Sequence, residues 1–177
     1  MTDVSKFTPN TVYVTYIAAT PEAVFEALIK PEFTRQYFGG FAADVEPRAG
    51  GAFRMLYPDG RVHISGTVLD WTPPKRLSCT WLVEGMPGFG DLPECIVTYE
   101  IEPAGGATKL TMTESHSWEV PEAILAGGRS GWPAILSGLK SLLETGKAPA
   151  IAMVPPAGFT DAVQRALREK PWASQGR

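Results

Sequence analysis

The sequence predicts an α+β domain in which a curved antiparallel sheet of seven strands wraps around a long C-terminal helix, in the order β-α-α-β6-α. Three observations predict it. A β-branched and aromatic run, Val12 to Ile17, opens the folded region. Six further strand-like segments follow, separated by glycine- and proline-bearing turns. Last comes Gly131 to Gly146, in which Ile135, Leu136, Leu139, Leu142 and Leu143 recur at steps of three and four, with Ser137, Lys140, Ser141 and Glu144 opposite. A helix with one such stripe must bury it, and the apolar surface on offer is the sheet.

Each element has a local cause. In the first strand Val12, Val14 and Tyr16 alternate with Tyr13, Thr15 and Ile17. Thr20-Pro21-Glu22 then places a capping hydroxyl, a proline at the first helical position and an acid in the first turn, where unpaired amides and the helix dipole favour them. Val24, Phe25, Leu28 and Ile29 give that helix its apolar face, Pro31 interrupts it, and 32–38 make a second short helix ending at Gly39-Gly40. Strands are expected at roughly 41–46, 51–57, 61–72, 76–84, 94–103 and 107–116. They are joined as hairpins through Gly50-Gly51, Pro58-Asp59-Gly60, Pro73-Pro74, the 85–93 loop and Gly105-Gly106. Gly146 stops the long helix, since a residue without Cβ tolerates the left-handed conformation of a helix end.

Residues 1–147 are therefore expected to form the domain and 148–177 an extension. In the extension an apolar, proline-bearing stretch leads into a short helix from Thr160-Asp161 to about Lys170. The extension reads as a surface appendage, packing across a cavity mouth or a partner and frayed beyond Trp172.

Composition excludes several classes. Sixteen basic and nineteen acidic side chains in 177 residues give a net charge of −3 with no block of like charge, so nucleic acid and anionic membrane gain no electrostatic support. The N-terminal residues lack the apolar core of a signal peptide and no long apolar run occurs, which predicts a cytoplasmic protein without a membrane span. Cys79 and Cys95 lie inside strand patterns without metal-ligand spacing and read as buried free thiols. There is no GxSxG, HExxH, Walker or GxGxxG motif, and no cofactor is implied.

The Thr20 to Phe25 segment, the Gly66 to Leu77 segment (GTVLDWTPPKRL) and the 131–146 helix together resemble the bacterial homologues of the activator of heat-shock-protein-90 ATPase, within the START-like (SRPBCC) superfamily. The resemblance covers about residues 10 to 147. It implies the helix-grip (START, Bet v-like) fold with an internal cavity for apolar or amphipathic small molecules. The superfamily includes carriers, cyclases, hydrolases and chaperone partners, so it leaves the chemistry to the site.

Alternation selects the side chains that face the gripping helix. Phe53, Met55 and Tyr57 form one row; Leu77, Cys79, Trp81 and Val83 another; Val97, Tyr99 and Ile101 a third. The last strand offers Leu110, Met112, Glu114 and His116, a row that changes from apolar to ionisable. Ligand-lining candidates are Phe53, Met55, Tyr57, Trp81, Tyr99, Met112, Trp132, Leu136 and Leu139, with Trp81 and Tyr99 foremost and Trp132 closing one end. Glu114 and His116 are the catalytic candidates: a carboxyl driven into an apolar site gains the raised pKa of an acid/base catalyst, and an imidazole two residues away shares its face. The competing reading ends or bulges the strand near Thr113 and leaves both at the surface. His63 reads as exposed strand polarity. The 84–93 loop exposes Met86, Phe89 and Leu92, either as a lid or packed near Tyr37-Phe38.

Two functions follow. The preferred one is a binding protein for a small apolar or amphipathic molecule, with acid/base catalysis by Glu114 and His116 left open. The alternative is a protein–protein module, a chaperone regulator or homodimer, acting through the 86–92 loop and the tail.

Overall fold

In the computed structural model, which describes residues 2–174, the long helix lies in the concavity of one antiparallel sheet. The strands are β1 Thr8–Ile17, β2 Ala42–Val45, β3 Ala52–Leu56, β4 Val62–Thr72, β5 Arg76–Val83, β6 Cys95–Ala104 and β7 Ala107–His116; the helices are α1 Pro21–Ile29, α2 Pro31–Tyr37, α3 Glu122–Thr145 and α4 Phe159–Glu169. The sheet order is β1-β7-β6-β5-β4-β3-β2. Five hairpins run from β2 to β7, and β1 closes the sheet beside β7. The expected seven-stranded helix-grip architecture is the observed one. Among the described residues no helix is long and apolar enough to cross a membrane.

The capping chemistry works as the residues dictate. The Thr20 side chain accepts a hydrogen bond from the Ala23 N–H at 3.2 Å, and Pro21 occupies the first turn of α1. α3 ends at Gly146, whose φ is +79°. Its Leu136, Leu139 and Leu142 are buried against Met55, Tyr99, Leu110 and Met112 in one continuous core.

Two features depart from expectation. α3 begins at Glu122, nine residues before Gly131, and runs through Pro133. Gly127, Gly128 and Pro133 look like breakers in sequence; the two glycines are instead points of close approach. The Phe159 ring occupies the space a Cβ on Gly127 would need, and a Cβ on Gly128 would stand 3.2 Å from the Glu114 carboxylate.

The tail departs in part: it does pack across the mouth of a pocket, but it is built into the fold and does not lie on its surface. Phe159, Val163 and Ala166 of α4 are buried. Trp118, Val120, Leu125 and Ala166 form a second small core to which Leu92, Ile124 and Trp172 are joined, and Trp172 meets Trp118 edge-on at 5.1 Å. A surface appendage would leave this N-terminal half of α3 uncovered. The expected fraying beyond Trp172 falls chiefly on 175–177, outside the described residues.

Candidate functional site

A pocket of about 280 Å³ opens where the N-terminal half of α3 leaves the sheet. Most of its apolar wall comes from four places. β5 and β6 contribute Trp81, Val83 and Cys95; α3 contributes Leu125, Gly128, Trp132 and Ile135; the β5–β6 loop contributes Met86, Phe89 and Leu92; the tail contributes Met153 and Phe159. Loop and tail meet over it, with the Phe89 and Phe159 rings 5.3 Å apart.

Of the expected lining residues, Trp81 and Trp132 reach this pocket. Phe53, Met55, Tyr99, Met112, Leu136 and Leu139 are packed in the core instead, each at most 5% exposed. The reason is the aromatic cluster at mid-sheet. Trp81 lies 5.4 Å from Phe53 and from Trp132, and Phe38 lies 6.0 Å from both tryptophans, so these rings fill the centre and displace the empty volume toward the start of α3. Tyr57 is held outside the pocket, edge-on to Phe41 at 5.0 Å with its hydroxyl donating to the Gly85 carbonyl at 3.2 Å.

The polar end of the pocket is Glu114 and His116. β7 keeps its alternation as far as Glu114, which points inward and is 9% exposed. The reading in which both side chains sit at the surface is therefore not the observed one. The Trp132 indole N–H donates to Glu114 Oε2 at 2.8 Å, inside the fold. Burial raises the Glu114 pKa; the Trp132 hydrogen bond and, more weakly, the Arg129 charge oppose that rise. The carboxyl thus keeps its proton to higher pH than an exposed glutamate.

Asn10 determines the state of His116. Its Oδ1 accepts the His116 backbone N–H at 3.1 Å and lies 3.0 Å from Nδ1. An oxygen accepts only, so Nδ1 carries the proton and Nε2 keeps its lone pair. Burial pushes this imidazole down to about 4, so it is neutral at physiological pH. Nε2 faces Glu114 Oε1 at 3.9 Å, too far for a direct hydrogen bond and suited to a polar atom held between the two. One end of an apolar pocket therefore presents a carboxyl and an imidazole acceptor side by side.

Two residues of this region escape sequence reasoning, both at bulges. The β1–β7 register steps from Pro9↔Ser115 to Thr11↔Glu114, leaving Asn10 as the extra residue that turns to His116. The β3–β4 register steps from Met55↔Ile64 to Leu56↔Val62, leaving His63 extra. His63 is accordingly not exposed strand polarity: it stacks on Phe41 at 4.0 Å and lines the pocket.

Residues 18–144 match the family model described as Activator of Hsp90 ATPase homolog 1-like protein. The chain belongs to this family. Among solved structures, this Hsp90-activator-homologue chain is similar to protein MLL2253 from Mesorhizobium loti, with 28% identity over 75% of this chain and 96% of that one, at a TM-score of 0.60. DynU16, from the dynemicin biosynthetic locus, shares 26% identity over 78% of this chain and 48% of its own, at a TM-score of 0.66. The Aha1 dimer from Colwellia psychrerythraea shares the fold, at 17% identity over 77% of this chain and 97% of that one, with a TM-score of 0.60. No curated protein matches the chain.

The Trp132 contact yields a direct expectation. Trp132→Phe keeps the ring packing but strips Glu114 of its one hydrogen-bond donor. The variant is expected to lose about 1–3 kcal/mol at neutral pH, where the stranded carboxyl is most costly, and to lose less in acid. Denaturant unfolding at pH 7.5 and pH 4.5 reads both.

Proposed function

We propose that this protein binds a small, mainly apolar molecule carrying one hydroxyl or similar group, which sits between Glu114 and His116. The observation that carries the reading is the pairing of an aromatic and aliphatic pocket with a single fixed acid–imidazole end. A volume of about 280 Å³ suits a compact ligand, just below the roughly 300–1,000 Å³ usual for ligand sites. A ligand hydroxyl donates to His116 Nε2 and accepts from Glu114 when that carboxyl holds its proton, the form that burial favours.

The same pair is equipped for acid/base work. Glu114 is the acid, because burial raises its pKa; His116 Nε2 is the acceptor, because Asn10 occupies Nδ1. Among the other expected binding residues, Trp81 and Trp132 supply the apolar faces. Phe53, Met55, Tyr99, Met112, Leu136 and Leu139 act behind them as the packing that holds those faces still, and Tyr57 positions the β5–β6 loop through Gly85.

Native mass spectrometry of the purified protein, with displacement of an apolar fluorescent probe, tests this reading. A small molecule is expected to co-purify or a probe to bind competitively in the pocket; the absence of both would count against the reading. Self-association is a second reading, supported by the exposed Ile151, Met153 and Val154, the last 72% exposed. The same spectrum reads it as a dimer mass.

A further inference from the structure

The Glu114–His116 end does not account for His63, the other histidine on the pocket wall. His63 is held on three sides. Phe41 covers one face at 4.0 Å and 17°, Tyr57 meets it edge-on at 5.1 Å, and Nδ1 is buried against Gly85, where a Cβ would collide with it. That nitrogen has no hydrogen-bond partner. Burial lowers the pKa of the ring, which keeps it neutral, with one proton to place. A buried proton on Nδ1 would have no acceptor, so Nε2 carries it. His63 lines the pocket, and its Nε2 is the ring nitrogen not set against Gly85, so it is the one left to donate to a ligand.

From this placement we infer that the pocket recognises a two-ended ligand: an apolar, ring-like body with a hydroxyl at the Glu114–His116 end and a hydrogen-bond acceptor, a carbonyl or second hydroxyl, at the His63 end. The inference rests on the binding reading above and specifies its ligand class. The topology supports the separation of the two ends. His63 is on β4 and Glu114 on β7, three strands away in the sheet order. At about 4.8 Å per strand this is roughly 14 Å across the sheet, and the register adds an offset along the strands: Glu114 aligns through Val97 with Cys79, whereas Ile64, next to His63, pairs with Val83. The two ends also differ in character, since His63 donates while His116 accepts. A ligand would thus be held in one direction along the pocket.

Three naphthalene alcohols test this on the full chain by calorimetric titration. 2-Naphthol reaches one end, 2,6-dihydroxynaphthalene carries hydroxyls at opposite ends, and 2,3-dihydroxynaphthalene carries both at the same end. The 2,6-diol is expected to bind about 5-fold more tightly than 2-naphthol, as one further neutral hydrogen bond provides, and the 2,3-diol is expected to show no gain that depends on His63. His63→Phe keeps the stack on Phe41 and is expected to bring the ratio of 2,6-diol to 2-naphthol affinity down to about 1, whatever it does to the two affinities together. Equal affinities of the 2,6-diol and 2-naphthol in the unmutated protein would overturn the inference without touching the binding reading. A 2,6-diol advantage that survives in His63→Phe would do the same. Failure of 2-naphthol itself to bind would remove the binding reading, and this inference with it.

Discussion

Phe159→Ala is expected to destabilise the protein by about 3 kcal/mol and to open the pocket to water. The ring is 8% exposed, rests in the notch left by Gly127 and faces Phe89. Truncating a buried phenylalanine removes its transfer free energy and leaves a cavity, costing roughly 3–5 kcal/mol, and the lower figure suits a site near a pocket that already borders solvent. Two consequences separate this from a generic core defect. Probe dyes should gain access to Trp81 and Trp132, and protease should cut the β5–β6 loop faster, because Phe89 loses its cover. Denaturant unfolding with limited proteolysis reads both. Unchanged stability and unchanged cleavage would mean that α4 is an accessory and does not close the pocket.

The second large effect is on acid stability. His116 falls from an ordinary 6.5 to about 4 in the folded protein. The unfolded chain therefore takes up this proton first. Stability from this group is full above pH 6.5 and is lost as pH falls toward 4, by about 3 kcal/mol in all at 1.36 kcal/mol per pKa unit. Glu114 works in the opposite sense: its folded pKa is raised, so its contribution is present below about 4.5 and is lost as pH rises through the folded value. His116→Asn retains a side-chain amide able to meet Asn10 and cannot titrate. The difference in unfolding free energy between parent and His116→Asn is expected to shift in favour of the variant by about 3 kcal/mol between pH 7 and pH 4. A pH-independent difference would show that the imidazole is not buried neutral.

Much of this fold was legible because its causes are local. The Thr20-Pro21-Glu22 start, the glycine and proline turns, the period-two rows and the Gly146 stop each act within a few residues of themselves. Glu114 is legible for the same reason: the buried β7 row runs unbroken from Leu110 to Glu114. What could not be read depends on distant partners. Gly127 and Gly128 look like a helix break until Phe159 and Glu114 are placed against them. Asn10 and His63 reach the site through bulges, and a bulge inserts one residue in a way that alternation cannot reveal. The pocket itself was misplaced along α3, because mid-helix volume depends on how Trp81, Trp132, Phe38 and Phe53 share the space. A row of inward residues says which way side chains point and leaves open how far the space is already filled.

If Glu114 and His116 form the polar end of a binding pocket, a ligand hydroxyl must matter to affinity. This is read from the affinity of 2-naphthol against 2-methoxynaphthalene, which has the same rings and no hydroxyl proton, in the parent and in His116→Asn. Asparagine reaches the position of Nδ1 and leaves that of Nε2 empty. In the parent, 2-naphthol is expected to bind about 10-fold more tightly, the equivalent of about 1.4 kcal/mol for a buried hydrogen bond, and in His116→Asn the ratio is expected to fall to about 1. Equal binding of the two compounds by the parent, or a preference that survives in His116→Asn, would contradict the account.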